Sequence, residues 1–503
     1  MAQFVKLNPA TLTALRQINP ALTSYNVEMT EVTGGTFWRA YTPGQIDGLE
    51  QVPPPDFSKG LAAMHQWYDP IDTTNPRLIK LAKAIGPVWI RVSGTWATKT
   101  YYDFEDKYSA GTSPEGYQNV LKKHQWINLL NFVKAVGGRL KISVANCEGL
   151  HSADEPWNPS QAALIFELSK SHGVPIEAVE FTNEPNMMEM TGFPKGYTPA
   201  HFRRDQDLFH KWVRENYPEC IVVGPSDTDP EAMQDSGNDG GAAGIAEALP
   251  YCSTGELLDG CTEKLDVFSY HYYNGVSERM AAMMPSAFTP AEGALSEGYL
   301  GMAGHCARCF RRYRDKYVPG GEMWVTESGD AGAGGHTWAS TYLEVPRLLN
   351  ELGEFATVTN GVIFHNTLAS SDYGWLKHGS FDPRPSYFAI LLWNKVMGHT
   401  VFASGEPIRE GAHVYAHSRA DGKEGAAYLI INNSWTETTT VELPADAIRY
   451  TLTGNGKLRS RTMLLNGREL VLGENDELPA LDGEHQAAGT IQLAPGSCTF
   501  LVI

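Results

Sequence analysis

The chain has 503 residues, of which 42% are hydrophobic, 11% aromatic and 19% charged, the balance of a large globular protein rather than of a disordered chain. Its 40 basic and 58 acidic side chains give a formal net charge of -18, which disfavours nonspecific binding to nucleic acid or to an anionic membrane. No apolar run of about 18 residues predicts a membrane span, and the amino-terminal stretch lacks the apolar core of a signal peptide. A cytoplasmic protein and the mature form of a secreted or periplasmic protein both remain open.

Between residues 24 and 400, short apolar runs alternate with longer segments of helical periodicity, the pattern of repeated βα units. The helical segments have the expected ends: segment 124–138 stops at two glycines, and segment 157–173 starts with Asn158 and Pro159. The apolar runs are predicted strands, and eight of them close a (β/α)8 TIM barrel. They are 24–29, 88–94, 140–147, 178–185, 220–227, 266–273, 322–329 and 360–367.

After about residue 400 the pattern changes to short alternating runs separated by Gly, Asn, Asp and Pro, which predicts an all-β sandwich domain. We therefore predict a catalytic barrel over 15–398 and a β-sandwich domain over 399–503, with residues 1–14 as candidates to join the sandwich. Segment 228–262, rich in Gly, Ala and Asp, is longer than an ordinary βα loop. Such loops lie on the catalytic rim of a barrel.

Seven cysteines are an odd number and a low density, which excludes a disulfide scaffold and leaves at least one thiol unpaired within the chain. Cys306 and Cys309 form a CxxC on a predicted helix, but no second CxxC or His pair accompanies them, so we favour a structural role over metal binding. Cys252 and Cys261 flank a short loop, and whether they are bridged depends on the redox compartment. We expect neither a metal nor a cofactor.

Two carboxylates lie at the predicted carboxyl ends of barrel strands, where the catalytic residues of such barrels are found. Glu184 closes the fourth strand in FTNEPN, and Glu327 closes the seventh in WVTESG. These strand ends face each other across the barrel mouth, so the pair can act on one substrate as acid and nucleophile of a retaining glycoside hydrolase. Asn183 precedes the acid and can bind a sugar hydroxyl. The alternative is that both are ordinary solvated carboxylates of an acidic chain.

Four segments carry a more specific signal: FTNEPN, FSYHYYNG, WVTESGDAGAGG and DYGWLKHGSFDPRPSYFAILLWNKVMG. Together with IRVSGTWATKTYY they resemble, in order, the corresponding segments of glycoside hydrolase family 79, the heparanase and β-glucuronidase family. The matching blocks extend over most of residues 24–400, and the family has the same two-domain layout. The resemblance implies a TIM barrel hydrolase that acts on β-linked glucuronic acid.

The resemblance also implies roles for individual residues. Glu184 matches the general acid/base and Glu327 the nucleophile, while Tyr272 is placed to hydrogen-bond the nucleophile. Backbone N–H groups of a Gly-rich turn can bind an anion without a basic side chain, which suits an acidic protein that selects an acidic sugar. The substrate-binding residues implied are Asn183 beside the acid, three residues for the uronate carboxylate (Gly334, Gly335 and Tyr373), and Glu28 and His365 for other sugar contacts.

The turn after Glu327 is one residue longer than in the animal heparanases, which leaves the register of its glycines open by one residue. The net charge, the absence of basic clusters near these loops and the 228–262 segment favour an exo-β-glucuronidase over an endo enzyme of the heparanase or hyaluronidase kind. A neutral-sugar β-glycosidase and a noncatalytic sugar binder are further alternatives. The expected partner is a glucuronic-acid-containing glycoside or oligosaccharide, and the oligomeric state is left open.

Overall fold

A computed structural model describes residues 3–109, 112–228 and 250–503. Eight parallel strands form a closed barrel in which each strand pairs with its neighbours in chain order, and the last pairs with the first. The predicted TIM barrel is confirmed, with all eight predicted strands present. They are Thr23–Glu28, Trp89–Ser93, Arg139–Ile142, Ile176–Val179, Ile221–Asp227, Val267–Tyr273, Met323–Gly329 and Ile363–His365.

Helices surround the barrel, and the longer ones bury apolar side chains against it. In the helix Lys123–Val136 the large apolar side chains Trp126, Leu129, Val133 and Val136 recur every three or four residues and are buried, while Gly137 ends the helix at φ 69°. The α-helices are Met29–Thr33, Pro43–Ile46, Pro76–Ala84, Lys123–Val136, Ser160–Ser171, Met188–Thr191, Pro199–Asn216, Thr254–Leu258, Glu297–Leu300, Met302–Tyr317, Glu344–Val358 and Pro385–Val396.

The barrel interior is ionic at its centre. Arg91, Lys141 and Glu180 project inward from the second, third and fourth strand segments, and each side chain is fully buried. Glu180 pairs with both cations, and the hydroxyl of Ser93 donates to it at 2.9 Å. A buried charge is tolerated only when it is paired and hydrogen-bonded, so this network fixes the side chains beneath the barrel mouth.

A β-domain packs beside the barrel, as predicted for the carboxyl-terminal part of the chain. It has a nine-stranded and a three-stranded sheet, and two amino-terminal strands take part: Gln3–Lys6 pairs with Thr439–Leu443, and Thr13–Gln17 pairs with Met397–Ala403. The division at residues 15 and 398 stays a prediction. The remaining strands of the domain are His413–Arg419, Ala427–Ile431, Ala447–Gly454, Met463–Leu465, Arg468–Glu469, Glu484–Gln486, Gly489–Leu493 and Cys498–Val502.

Two short sheets lie outside the barrel and the β-domain. Gly35–Trp38 forms a hairpin with His65–Tyr68, and Thr100–Asp103 pairs in parallel with Asn119–Lys122. The hairpin follows the first barrel strand and brings Trp38 to the mouth of the barrel. It therefore forms part of the wall of the site described below.

The cysteines, all within the described residues, form no disulfide, so Cys252 and Cys261 are not bridged. Cys306 and Cys309 lie on the helix Met302–Tyr317, where both are buried, which agrees with a packing role. Most of segment 228–262 lies outside the described residues, and its last part holds the short helix Thr254–Leu258. Among the described residues, no helix combines the length and apolar character needed to cross a membrane.

Candidate active site

A cavity of about 550 Å³ opens at the carboxyl ends of the barrel strands. This is the end at which barrels of this kind carry their functional residues. Its polar lining includes both predicted catalytic carboxylates, and with four further groups they come from the ends of five different strands. These polar groups are Glu28, Glu184, His271, Glu327, Asn366 and Tyr373.

Glu184 lies beyond the fourth strand, which ends at Val179 and not at residue 185 as predicted. Its backbone N–H donates to the carbonyl of Ser226 at 3.2 Å, which ties it to the fifth strand. Glu184 has φ 45°, a left-handed conformation that costs a non-glycine residue energy and persists where the surrounding structure holds it. The tight turn Pro185–Met187 follows and leaves the carboxyl group facing the cavity.

Glu327 lies within the seventh strand and faces Glu184 across the cavity. One carboxylate oxygen of each glutamate and Nδ1 of His271 all lie within 4.8 Å of one another. Retaining glycoside hydrolases hold their two carboxyl groups about 5–5.5 Å apart, whereas inverting enzymes need about 6.5–9.5 Å to admit a water molecule. The short approach of one oxygen from each carboxyl group, within 4.8 Å, agrees with the shorter of these two arrangements, in which a carboxylate attacks the anomeric carbon.

The Arg91 guanidinium connects the ionic centre of the barrel to both catalytic carboxylates. Its Nη1 donates to Glu327 Oε2 at 3.1 Å, and its Nη2 donates to Asn183 Oδ1 at 2.7 Å. Asn183 in turn donates weakly to Glu184 at 3.5 Å. Burial, followed by the charge of Glu327, raises the pKa of Glu184. Glu184 therefore retains its proton above the ordinary carboxyl range and can serve as the acid.

His271 lies between the two glutamates. Arg91 Nη2 can only donate, so His271 Nε2, 3.2 Å away, accepts, and Nδ1 carries the proton towards Glu184 Oε1 at 3.2 Å. Burial and the neighbouring Arg91 lower the pKa of His271 well below its ordinary value. The three groups are a candidate metal site by residue type, but a protonated Nδ1 and an adjacent guanidinium make them a poor set of ligands for a cation.

Tyr273, and not Tyr272 as predicted, hydrogen-bonds the nucleophile: its hydroxyl donates to Glu327 Oε1 at 2.5 Å. The reason is the two-residue alternation of a strand, which turns His271 and Tyr273 into the barrel and Tyr272 away from the nucleophile. The Tyr272 hydroxyl is buried and makes no hydrogen bond among the described residues. Burial and the charge of Glu327 raise the pKa of Tyr273 well above its ordinary value, so it stays a donor.

We expect Tyr273→Phe to lower kcat roughly 10- to 100-fold, because a hydrogen bond to a buried carboxylate contributes about 1.5–3 kcal/mol. Tyr272→Phe is the matched control on the next residue of the strand and should stay within about twofold of the wild type. Steady-state rates on a chromogenic β-glucuronide measure both. Equal losses in the two variants would contradict the assignment of Tyr273.

His365 was predicted to contact the sugar, and the structure places it elsewhere. Its ring stacks on Trp375 at a centroid distance of 4.8 Å, and its Nε2 donates to the carbonyl of Tyr373. The next residue, Asn366, lines the cavity and donates to Glu327 Oε1 at 3.3 Å and to the Tyr373 hydroxyl at 3.1 Å. Neighbouring residues along a strand point to opposite sides. The His365 side chain is therefore buried away from the cavity, while the Asn366 side chain lies in it.

The Gly-rich turn after Glu327 has three consecutive residues with positive φ: Ala333 at 62°, Gly334 at 87° and Gly335 at 84°. The N–H of Gly335 donates to the carbonyl of Ala331 at 3.1 Å, so it is not available to a ligand. Those of Ala333 and Gly334 have no partner among the described residues, and Ala333 lines the cavity. The N–H groups without a partner among the described residues are thus those of Ala333 and Gly334, one residue earlier than the predicted Gly334 and Gly335.

The other predicted residues are found at or next to the cavity. Glu28 and Tyr373 line it, and Asn183 lies buried behind Glu184. Burial, then the charge of Glu327, raises the pKa of Glu28 well above its ordinary value. The oxygen of the Tyr373 hydroxyl accepts a hydrogen bond from the Asn366 side-chain amide. The proton of the Tyr373 hydroxyl can therefore donate to a ligand in the cavity.

Sequence reasoning missed four residues that contact the catalytic carboxylates: Arg91, His271, Tyr273 and Asn366. A signal for Arg91 was present, since a charged residue in the middle of the apolar run VWIRVSG must be paired inside the barrel. His271 and Tyr273 lay in the recognised HYY segment, but their shared face was not used. Asn366 has no signal of its own beyond its place after the eighth strand.

Several curated proteins are similar to the chain over most of its length, although no family model matches it. Heparanase-like protein 1 of Arabidopsis thaliana is 24% identical over 86% of this chain and 85% of its own. Hyaluronoglucuronidase of Hirudo nipponia is 24% identical over 86% and 90%. Baicalin-beta-D-glucuronidase of Scutellaria baicalensis is 28% identical over 61% and 55%.

Solved structures share the fold at low sequence identity. A 4-O-alpha-L-rhamnosyl-beta-D-glucuronidase from Fusarium oxysporum covers 99% of this chain with a TM-score of 0.63 and 12% identity. A family 51 alpha-L-arabinofuranosidase from Bifidobacterium longum covers 99% with a TM-score of 0.61 and 11% identity. The relatives and the barrel together confirm the resemblance to the heparanase and β-glucuronidase family and identify the chain as a glycoside hydrolase.

Proposed function

We propose that the protein is a retaining exo-β-glucuronidase. The observation that carries the proposal is the arrangement of Glu184 and Glu327 within 4.8 Å at one cavity, beside a turn that presents two unpartnered backbone N–H groups. The carboxylate pair provides the acid and the nucleophile for cleavage of a glycosidic bond. The N–H groups provide a site for the carboxylate of a uronic acid.

The reaction has two steps. In the first, a Glu327 oxygen attacks the anomeric carbon, the bond to the aglycone oxygen breaks, and Glu184 transfers its proton to that oxygen. In the second, Glu184 removes a proton from water, whose oxygen attacks the same carbon and releases Glu327 from the ester. Once Glu327 is an uncharged ester, the repulsion that raised the pKa of Glu184 is gone, and Glu184 becomes a base.

The uronate carboxylate has three donors within the turn region: the N–H groups of Ala333 and Gly334 and the Tyr373 hydroxyl. Arg279 supports the turn from behind, because its Nη1 donates to the carbonyls of Ala333 and Gly335 at 3.1 Å each. The Arg279 donation to the Ala333 carbonyl polarises the same peptide unit whose N–H belongs to Gly334, which strengthens that N–H as a donor to an anion. A neutral hexose offers at this position a single uncharged 6-hydroxyl oxygen, which accepts from fewer of these donors than a carboxylate does.

The proposed exo action depends on charge. Among the described residues that line the cavity, Lys99 is the one ammonium group, and the chain carries a formal net charge of -18. A long sulfated or polyuronate chain needs several cations along its path to overcome that repulsion. A terminal glucuronide needs only the donors of the turn. The relatives named for heparanase and hyaluronan cleavage make the endo reaction the alternative that the experiment must address.

The test compares p-nitrophenyl β-glucuronide with p-nitrophenyl β-glucoside in the wild type and in Gly334→Ala. We expect kcat/KM to favour the glucuronide at least about 100-fold, because buried donors reject a substrate that leaves them unpaired. A Cβ at Gly334 would lie 2.6 Å from the Cβ of Trp38 at φ 87°, so the variant must shift the turn. It should lower kcat/KM for the glucuronide roughly 10-fold or more and leave the glucoside rate little changed.

Gly379→Ala is the matched control, since it has φ 78° but nothing within 4 Å of the added Cβ. Equal rates on both substrates would replace the proposal with a neutral-sugar glycosidase. If neither p-nitrophenyl glycoside is hydrolysed but hyaluronan or heparan sulfate oligosaccharides are cleaved, the protein is an endo enzyme. If none of these glycosides and oligosaccharides is hydrolysed but the protein binds glucuronate, it is a noncatalytic sugar binder.

A further inference from the structure

A single side-chain amide connects the nucleophile to the tyrosine of the proposed uronate site. It belongs to Asn366, which follows the eighth strand and is only 1% exposed. The Asn366 Nδ2 donates to Glu327 Oε1 at 3.3 Å. The same nitrogen donates to the hydroxyl oxygens of Tyr273 and Tyr373, each at 3.1 Å. The centroids of the two tyrosine rings lie 6.4 Å apart, so one amide group reaches both hydroxyls.

The orientation of the Asn366 amide follows from the chemistry of its partners. A carboxylate accepts hydrogen bonds and does not donate them, so the group that faces Glu327 is the NH2 of Asn366 and not its carbonyl oxygen. A flipped amide would bring an oxygen with partial negative charge against the carboxylate. Asn366 therefore acts as a donor towards all three oxygens.

Asn366 thereby sets the direction of two hydroxyl protons. Tyr273 accepts from the amide and donates its own proton to Glu327 Oε1 at 2.5 Å. Tyr373 accepts from the same amide, and no hydrogen bond from its own proton is found among the described residues. The lone pair that faces Asn366 is occupied, so the proton of Tyr373 points elsewhere, and the cavity is where an acceptor can bind.

Without the amide, the Tyr373 hydroxyl would have a competing acceptor. Burial, followed by the charges of Glu28 and Glu327, raises the pKa of Tyr373 well above its ordinary value, so the hydroxyl keeps its proton. A hydroxyl that is free to rotate turns its proton towards nearby negative charge. A proton donated to the nucleophile is no longer available to the substrate.

We propose that Asn366 is a positioning residue that determines specificity for uronic acids, because it directs the Tyr373 hydroxyl to the uronate carboxylate and away from the nucleophile. This inference rests on the proposed glucuronidase function and deepens it. Donation from the amide to the Tyr373 oxygen also strengthens the Tyr373 hydroxyl as a donor, since hydrogen bonds in a chain polarise one another. Asn366 acts through Tyr373 and not by contact with the sugar.

The test compares p-nitrophenyl β-glucuronide with p-nitrophenyl β-xyloside, which has a hydrogen atom in place of the C6 carboxylate. Asn366→Leu keeps the approximate shape of the side chain without its N–H groups, and Asn366→Ala is a second variant that adds no bulk. We expect kcat/KM for the glucuronide to fall about 10-fold or more in both variants, because the donor to a charged group loses its direction. The loss on the xyloside should stay within about threefold, because the xyloside makes no use of Tyr373 and the amide contact to Glu327 is long.

A double-mutant cycle with Tyr373→Phe separates action through Tyr373 from a general structural role. In the Tyr373→Phe background no hydroxyl remains to be directed. Asn366→Leu should then lower kcat/KM for the glucuronide by no more than about threefold, as on the xyloside. Losses that multiply in the double variant would overturn the inference, and so would equal losses on the two substrates in Asn366→Leu.

Asn360→Ala is the matched control, because Asn360 precedes the same strand, donates to Glu322 and does not line the cavity among the described residues. Its ratio of kcat/KM for glucuronide and xyloside should equal that of the wild type, and a ratio as low as that of Asn366→Leu would overturn the inference. A wild type that hydrolyses neither glycoside, or that does not favour the glucuronide, would instead overturn the proposed function. The two failures are therefore distinct.

Discussion

Glu327→Ala is expected to lower kcat for an aryl β-glucuronide by roughly 10⁴-fold or more, the largest effect predicted for any single residue. Among the described residues of the cavity, Glu28 is the carboxyl group that could substitute for Glu327, but burial, the largest cause of its raised pKa, persists in the variant. A protonated carboxyl group is a poor nucleophile. Loss of Glu327 therefore removes the covalent step rather than slowing it.

Azide should partly restore the rate of Glu327→Ala. The truncated side chain leaves room for a small anion, and Arg91 Nη1, which donates to Glu327 at 3.1 Å, remains to bind it. Azide attacks from the face that Glu327 used, so a β-glucuronide with a good leaving group should yield the α-glucuronosyl azide. Proton NMR of the product measures its anomeric configuration.

The control for Glu327→Ala is Glu322→Ala, at the amino end of the same segment, outside the cavity and partly exposed. It should keep the wild-type mechanism and form no azide adduct. Activity of Glu327→Ala close to that of the wild type, or a β-azide as its product, would contradict the role of Glu327 as nucleophile.

The sequence predicted the barrel well because its repeating units are local. Each predicted strand is a short apolar run, and each predicted helix has an apolar stripe with a glycine or proline at its end, as in Lys123–Val136. Such features depend on neighbours along the chain. The positions of Glu184 and Glu327 at the barrel mouth follow from them, since parallel strands present their carboxyl ends together.

Side-chain direction at the strand ends was harder to predict, because an error of one residue moves a side chain to the opposite face. Tyr272 and His365 were each assigned one residue away from the group that contacts Glu327, namely Tyr273 and Asn366. The sixth and seventh strands pair with a register shift between Tyr270 and His271, which a pattern of apolar residues does not record.

The ionic centre of the barrel illustrates the same limit in another form. The charged residues Arg91, Lys141 and Glu180 come from three strand segments, and each lies in a predominantly apolar predicted strand. Their pairing requires closure of the barrel, which brings together residues that are distant along the chain. In the sequence these three charged residues are exceptions to the apolar pattern of the strands. The closed barrel accounts for them because it brings them together as a paired network.

Glu184→Ala is expected to lower kcat/KM for methyl β-glucuronide roughly 10²- to 10⁴-fold, the usual contribution of a general acid. The loss should be small for 2,4-dinitrophenyl β-glucuronide, because its leaving group departs without a proton. Glu189→Ala, on the exposed side of the short helix that follows, is the matched control and should behave as the wild type on both substrates. Steady-state kinetics on the two substrates measure this dependence on the leaving group.

The pH profile distinguishes loss of the acid from a general disturbance of the site. Since burial and the charge of Glu327 raise the pKa of Glu184, its acid form persists above the ordinary carboxyl range and is lost as the pH rises through the raised value. The alkaline limb of kcat/KM in the wild type should therefore lie above that range and should disappear in Glu184→Ala. Azide should then attack the glycosyl-enzyme from the face that water uses and give the β-azide, the opposite anomer to that from Glu327→Ala. An equal loss on both substrates, with the alkaline limb retained, would assign the proton transfer to another group in the cavity.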